Sequence, residues 1–178
     1  TRLDVADAKV VQEHKELATI LGDYLVTPDI VVARVPVSDD EINQHGPVVR
    51  PGGLPKYAPL RAANLSEPLP ILHASLSCKW TIRSDRSQVA RIEGTVLTRN
   101  RKGHIPHIVA ITGEPLPSRL MSLAMGTGDI DCVYHFALHE LMEAVEATSD
   151  DSLSDILAMM VDGRRLRDIA DLPFDLAI

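Results

Sequence analysis

The feature that most constrains this chain is a strand pattern that leads directly into a helix pattern. From residue 75 to residue 82, polar and apolar side chains alternate, a repeat of two that is typical of a β-strand. Ser77 and Lys79 fall on one face of this strand, and Cys78 falls on the other. Apolar residues at helical spacing then predict a helix over residues 85–99.

The rest of the chain also mixes the two element types. Further strands are predicted at residues 30–33, 108–111 and 132–136, and further helices at residues 3–21, 120–125 and 137–145. This alternation predicts an α/β fold. The length of 178 residues and the hydrophobic content of 45% fit one globular domain over residues 1–178.

Composition restricts the location and the partners of the protein. The sequence shows no apolar run long enough for a membrane helix and no secretory or lipidation signal, so we expect a cytoplasmic protein with no membrane contact. Cys78 and Cys132 lie in apolar surroundings, which fits a reducing compartment. The net charge of −7 argues against a protein that coats nucleic acid nonspecifically, but it permits a local basic cleft.

Three side chains are suited to phosphodiester hydrolysis. Asp29 and Glu93 offer the oxygen ligands that Mg²⁺ prefers, and Lys79 offers a cation for the scissile phosphate. Nucleases with a Pro-Asp segment usually continue with Asp/Glu-x-Lys, whereas here Ser77 stands in place of the second acid. Glu93 compensates if its carboxylate reaches from the predicted helix to the position that the strand acid would fill.

Near the start of the predicted helix lie side chains of the kinds that can read DNA bases. Arginine is the best bidentate partner of guanine, and aspartate accepts a hydrogen bond from the amino group of cytosine. Arg83, Asp85 and Arg86 therefore suit a site made of G and C only. Arg86 and Glu93 are seven residues apart, about two helical turns, and so they share a helix face.

Arg119 is a further candidate for base reading. It follows Pro117-Ser118 at the start of a predicted helix, where the helix dipole disfavours a cation. A guanine edge or an anion would offset that cost, although an ion pair with Glu114 or Asp129 is an alternative explanation.

The order and spacing of these motifs resemble one branch of the PD-(D/E)XK nucleases. That branch comprises type II restriction endonucleases with Pro-Asp, a long spacer, Ser-x-Lys, a shorter spacer and Glu. Pro28-Asp29, Ser77-Cys78-Lys79 and Glu93 match this order, and an Arg-Ser-Asp-Arg segment at residues 83–86 follows the Ser-x-Lys motif as in the family. The resemblance extends over nearly the whole chain.

The resemblance implies a fold, an activity and a set of partners. The fold would be a central mixed β-sheet flanked by helices, and the activity would be Mg²⁺-dependent cleavage of double-stranded DNA. The site would be a palindrome with a CCGG core, taken as GCCGGC, and the enzyme would be a homo-oligomer, either a dimer or a tetramer of two dimers. Since family members carry a further glutamate in an N-terminal region, residues 1–178 are expected to lack part of the full-length enzyme.

The resemblance also implies a role for each candidate residue. Asp29, Glu93 and the backbone carbonyl of Cys78 would bind Mg²⁺, and Ser77 would support them by hydrogen bonding. Lys79 would lie near the scissile phosphate and the attacking water. Four side chains would contact bases, with Arg119 reading an outer guanine of the hexamer and the others reading the core: Arg83, Asp85, Arg86 and Arg119.

Two other functions remain open from the sequence. The first is a repair or recombination nuclease of the same fold without sequence specificity, and the second is a catalytically silent DNA-binding module. A nucleophilic Cys78 with His73 or His107 as its base is disfavoured, because Cys78 lies on the apolar face of its strand. Zinc is also disfavoured at a set of residues that a strand-to-helix break divides: Asp131, Cys132, His135 and His139.

A segment rich in proline and glycine, residues 46–70, is too long to be a simple connection. Its basic residues Arg50, Lys56 and Arg61 predict a loop that contacts DNA or another subunit, and a solvated surface excursion is the alternative.

Overall fold

A single mixed β-sheet forms the centre of the molecule. The computed structural model describes residues 3–7, 28–61, 69–100, 103–126 and 128–178. In these ranges, six strands pair in chain order: β1 (Leu3–Asp7), β2 (Ile30–Arg34), β3 (Ile71–Lys79), β4 (His107–Thr112), β5 (Cys132–His135) and β6 (Leu166–Asp168). The first two pairings are antiparallel, and those from β3 to β6 are parallel. The expectation of a mixed sheet is therefore confirmed.

Helices connect the parallel strands. The described residues include α1 (Asp39–Ile42), α2 (Ser84–Asn100), α3 (Pro117–Ala124), α4 (Leu138–Thr148), α5 (Asp151–Asp162) and α6 (Leu172–Asp175), with a 3-10 turn at Ile169–Asp171. Residues with known capping preferences mark the N-termini of two of these helices. Pro117 starts α3, where its missing N–H costs nothing, and the Asp150 side chain caps α5 by accepting the N–H groups of Ser152 and Leu153.

Apolar side chains cover both faces of the sheet. Neighbouring strand residues such as Val31 and Val32 point to opposite faces, and they belong to different hydrophobic clusters. The larger cluster packs the sheet against α2, α3, α4 and α5. The smaller cluster includes Leu172 and Leu176 from the C-terminal segment. Burial of the parallel strands on both faces explains their nearly continuous apolar sequences.

Two predictions about element type or length were wrong. Residues 3–21 were predicted to be helical, but Leu3–Asp7 form β1, and residues 8–27 lie outside the described ranges. Leu3 and Val5 alternate with Asp4 and Ala6, a repeat of two that suits a strand, and pairing with β2 decides the conformation. The strand predicted to reach residue 82 ends at Lys79, where the ladder with β4 ends at Thr112.

The loop after β2 is organised by one buried cation. The side chain of Arg61 is 2% exposed, and its five N–H donors all have acceptors. Two of the bonds reach the carboxylate of Asp39 at 2.5 and 2.6 Å, and the others reach the carbonyls of Arg50, Gly53 and Pro55. The prediction that Arg61 contacts DNA or a second subunit was therefore wrong, because this side chain holds its own loop together.

No helix in the described part of the chain is both long and apolar enough to cross a membrane.

Candidate active site

The register of the antiparallel pair β2 and β3 brings Pro28-Asp29 next to Ser77-Cys78-Lys79. Ile30 pairs with Leu76, so Asp29, one residue earlier, lies beside the end of β3. One oxygen of Asp29, Oδ2, accepts the backbone N–H of Cys78 at 2.6 Å and the ammonium of Lys79 at 2.9 Å. Asp29 and Lys79 form an ion pair whose side chains are 41% and 27% exposed, so solvent and ligands can reach both.

Glu93 approaches the same place from α2. Burial raises the pKa of its half-buried carboxyl group, and the charge of Asp29 adds to that rise. Lys79 and the hydroxyl of Ser77 lower the pKa, which indicates that both groups lie next to this carboxyl. The hydrogen bonds and the pKa shift therefore indicate that four residues predicted from the sequence motifs are neighbours in the structure: Asp29, Ser77, Lys79 and Glu93.

Ser77 is buried at the base of this site. Its Oγ is shielded from solvent, and within the described residues no partner meets it at full hydrogen-bond geometry. A buried hydroxyl without a well-formed bond is costly in an apolar setting. Next to Glu93, this hydroxyl lowers the pKa of the carboxyl group and so favours its ionised form.

The close approach of α2 to the sheet depends on Gly94, which sequence reasoning missed. A Cβ atom at this position would lie 2.2 Å from the carbonyl oxygen of Asp129. In addition, Thr95 Oγ1 donates to Asp129 Oδ1 at 3.1 Å, and Ala90 is buried one turn earlier. Small residues on this face thus let α2 pack closely and bring Glu93 to the end of β3. A glycine inside a predicted helix was the available signal.

These residues fit a hard divalent cation. Mg²⁺ in proteins is commonly held by one or two carboxylates and completes its shell with water or substrate oxygen. Asp29 and Glu93 are two carboxylates at one place, and Ser77 adds an oxygen. The described residues include no group of three or more His, Cys, Asp or Glu side chains placed to bind a metal. The backbone N–H of Cys78 donates to Asp29. Binding of Mg²⁺ by the backbone carbonyl of Cys78 stays a prediction.

The predicted base readers lie at or next to the starts of α2 and α3. Arg83 is exposed just beyond the end of β3, and Asp85 and Arg86 belong to the first turn of α2, for which the structure describes the backbone only. Arg119 lies in the first turn of α3, 49% exposed, with one guanidinium nitrogen 3.6 Å from Glu114 Oε1. The ion pair that was the alternative for Arg119 is therefore present, and its contact with DNA stays a prediction.

Comparison with known proteins agrees with these motifs. A family model described as the NgoMIV restriction enzyme matches residues 3–178. The chain belongs to this family. It is 54% identical over 172 residues to the type II restriction enzyme NgoMIV of Neisseria gonorrhoeae, and the match includes 96% of this chain. It covers 59% of the relative, so the chain spans less than two thirds of the length of that enzyme.

One solved structure also overlaps with the chain. The restriction endonuclease PspGI in complex with its substrate DNA has a TM-score of 0.37 and 17% sequence identity, and the match covers 58% of this chain and 39% of that one. An overlap of this size assigns no geometry to the present site.

In this member of the NgoMIV family, the alternative chemistries find little support. Burial and the neighbouring Asp29 raise the pKa of the Cys78 thiol, which disfavours the thiolate that a nucleophile needs. His73 donates from Nε2 to the carbonyl of Leu176 at 2.7 Å, away from that thiol. In the zinc candidate, His135 is engaged by the carbonyl of Glu114 and the N–H of Ala137, and burial raises the pKa of Cys132 to about 11.

Proposed function

We propose that residues 1–178 form the nuclease domain of a type II restriction endonuclease that cleaves double-stranded DNA at GCCGGC with Mg²⁺ as its cofactor. The observation that carries this proposal is the meeting of Asp29, Lys79 and Glu93 at the end of β3, with the Asp29–Lys79 pair at 2.9 Å. Membership of the NgoMIV family supports the same activity.

Each residue has a distinct task in this mechanism. Bound Mg²⁺ would polarise the phosphate and lower the pKa of a water molecule, and the oxygens of Asp29 and Glu93 would hold it. Lys79 has three donors and makes one bond to Asp29, so it can also contact a phosphate oxygen and stabilise negative charge there. Burial raises the pKa of the Glu93 carboxyl group, and Lys79 and the hydroxyl of Ser77 counter this by lowering it.

Sequence recognition is assigned to the arginines around the site. Arg83, Asp85 and Arg86 would enter the major groove at the start of α2 and read the CCGG core, one set from each subunit of a symmetric dimer. Arg119 would read the outer guanine. The supporting observations are that Arg83 is exposed four residues after Lys79 in the chain, and that the exposed Arg119 pairs with Glu114, whose carboxylate also accepts the N–H of Ile82.

Mapping of cleaved ends tests the proposal. The full-length protein should cut a plasmid in Mg²⁺ at GCCGGC and leave sites with one changed base pair intact. Cleavage at unrelated positions would instead favour a nonspecific nuclease. Sequence-specific binding without cleavage would favour a silent DNA-binding module, and Ca²⁺ in place of Mg²⁺ allows binding to be measured by itself.

We also propose that the loop of residues 37–61 contacts a second copy of the chain in a homo-oligomer. Arg61 and Asn43 hold the loop in one conformation through bonds to its own backbone. Four large apolar side chains nevertheless project into solvent from it: Val48, Leu54, Tyr57 and Leu60. A rigid loop that exposes apolar side chains is typical of a protein contact surface.

Sedimentation of the purified protein tests the contact. The combined change Leu54→Glu and Tyr57→Glu should shift the protein to a smaller oligomer, because it places two charges in the buried contact. Phe174→Glu, at an exposed apolar residue outside the loop, is the matched control and should leave the oligomer unchanged. An unchanged oligomer in the double variant would contradict the assignment of this loop.

A further inference from the structure

Glu114 is a fully buried acid at the end of β4 that none of the motifs includes. It is 0% exposed, and its two carboxylate oxygens have different partners. Oε2 accepts the backbone N–H of Ile82 at 2.7 Å, and Oε1 accepts the backbone N–H of Leu116 at 3.2 Å. The guanidinium of Arg119, which lies 3.6 Å from Oε1, is the third partner of this carboxylate.

The partners of Glu114 belong to two segments that carry proposed base readers. Ile82 lies between Lys79 and Arg83, in the connection from β3 to α2. Leu116 is the N-cap residue of α3, which carries Arg119 in its first turn. A single carboxylate therefore joins the start of both reading segments at the edge of the active site.

The backbone around Glu114 is fixed independently of these bonds. Its N–H donates to Thr112 Oγ1 at 3.2 Å, and its carbonyl accepts from His135 Nε2 at 3.1 Å. The preceding residue, Gly113, donates to the carbonyl of Trp80 at 3.1 Å and so extends the link between β3 and β4 beyond the ladder. The carboxylate thus projects from a rigid part of the sheet edge.

We propose that Glu114 is a positioning residue for sequence readout, which sets the Arg119 guanidinium and the segment leading to Arg83 in a fixed relation to each other. This inference rests on the proposed function and deepens it. Arg119 has five donors, and the contact with Glu114 engages one end of its fork, which leaves the exposed end for a bidentate pair with guanine. Such a pair requires a fixed orientation of the fork.

A buried acid of purely structural importance would differ in one measurable respect. Loss of fold lowers cleavage of every DNA site in the same proportion, whereas a misplaced reader changes the ratio of rates between sites. The informative quantity is therefore the discrimination ratio, the cleavage rate at GCCGGC divided by the rate at a site with a changed outer base pair. This ratio does not depend on the folded fraction.

The test is a double-mutant cycle on Glu114 and Arg119 in the full-length protein. Glu114→Gln keeps the shape but loses the charge, and its amide nitrogen cannot accept an N–H, so one of the three contacts must fail. We expect a roughly tenfold lower discrimination ratio at the outer pair, within the range for loss of one bidentate base contact. In the Arg119→Ala background, Glu114→Gln should cause no further loss, because both changes act through the same guanidinium.

Asp131→Asn is the matched control, since Asp131 Oδ2 also accepts a backbone N–H, that of Ile108, at 2.8 Å. It should change stability but leave the discrimination ratio unchanged. If Glu114→Gln does not fold, the discrimination ratio is measured for Glu114→Asp instead. This ratio should also fall, because a side chain shorter by one methylene cannot reach both segments.

The outcomes separate the two levels of the proposal. If Arg119→Ala lowers outer-pair discrimination while Glu114→Gln keeps the ratio of the wild type, the role of Glu114 is overturned and the proposed function stands. Additive losses in the double variant would overturn it too. If the wild-type protein shows no discrimination at all, the proposed function fails and the inference fails with it.

Discussion

Two carboxylate–cation pairs in this molecule show why residue type alone does not identify a functional site. Asp29 and Lys79 pair at 2.9 Å with both side chains partly exposed. Asp39 and Arg61 pair at 2.5 Å with side chains that are 12% and 2% exposed. The sequence presented Lys79 and Arg61 alike, as cations suited to contact DNA, but the structure gives them opposite environments.

The difference lies in the bonding capacity that remains. All five N–H donors of Arg61 are hydrogen-bonded to Asp39 and to three carbonyls of its loop, so none is left for a phosphate. Lys79 makes one bond to Asp29 in the described part of the chain and remains accessible. We therefore expect the pair with hydrogen-bond donors to spare, Asp29 and Lys79, to be the functional one.

The largest expected effect is at the active site. Glu93→Gln should lower the cleavage rate at saturating DNA by about a thousandfold or more, because it removes a charged ligand worth several kcal/mol to the reaction. Thermal stability should change little, because burial raises the pKa of the Glu93 carboxyl group and so disfavours the charge that Gln lacks. Combining Ser77→Glu with Glu93→Ala should recover part of the rate. A Glu93→Ala variant with nearly wild-type turnover would refute the role of the helix carboxylate.

The second effect tests how α2 positions Glu93. In Gly94→Ala the new methyl group would contact the Asp129 carbonyl at 2.2 Å, so the helix must shift. We expect a loss of about 1–3 kcal/mol in the free energy of unfolding, typical of overpacking, together with slower cleavage per folded molecule. Gly163→Ala, which would place a Cβ 2.8 Å from the Met159 carbonyl, is the control and should spare cleavage. Equal rates per folded molecule in both variants would contradict the positioning by Gly94.

The third effect concerns the saturated pair. Arg61→Met should expose the loop of residues 37–61 to faster amide hydrogen exchange and to proteolysis, because five hydrogen bonds are lost together. Arg50→Met, at an exposed residue of the same loop, removes a basic side chain without removing those bonds and serves as the control. Exchange in the loop that is unchanged by Arg61→Met would show that Arg61 is not its organiser.

The smallest effect concerns a buried histidine on the antiparallel side of the sheet. Burial lowers the pKa of His73 below its usual value of about 6.5, so the unfolded chain takes up a proton before the folded protein does. Stability should therefore fall as the pH drops below about 6.5, and His73→Phe should weaken this dependence. Denaturant unfolding between pH 7 and pH 5 measures it, and a stability that rises with acidity would contradict the assignment.

The sequence predicted the centre of the fold well because its patterns there are local. The repeat of two predicted at residues 75–82 and the apolar runs predicted at residues 108–111 and 132–136 overlap with β3, β4 and β5. The α2 pattern was also predicted to within a residue or two. At Leu3–Asp7, by contrast, pairing with β2 decided between a weak helix pattern and a strand.

The candidate site was predicted in part, for a related reason. Asp29, Lys79 and Glu93 are separated in sequence but carry recognisable motifs, and antiparallel register brings the first two together. Gly94, Arg61 and Glu114 carry no motif. Their importance comes from contacts across the fold, namely a close backbone approach, a saturated guanidinium and a buried carboxylate between two segments. A glycine inside a predicted helix is a signal for the first of these contacts, but no pattern in the sequence specifies the other two.

The same chemical change at both pairs tests the central claim most directly. Asp29→Asn and Asp39→Asn each replace one carboxylate by its amide, and the Mg²⁺ dependence of single-turnover cleavage at GCCGGC can be measured for both at an equal folded fraction. We predict that Asp29→Asn abolishes cleavage or raises the Mg²⁺ requirement steeply, whereas Asp39→Asn keeps the Mg²⁺ dependence of the wild type and loosens the loop of residues 37–61. Wild-type Mg²⁺ dependence in Asp29→Asn would contradict the account.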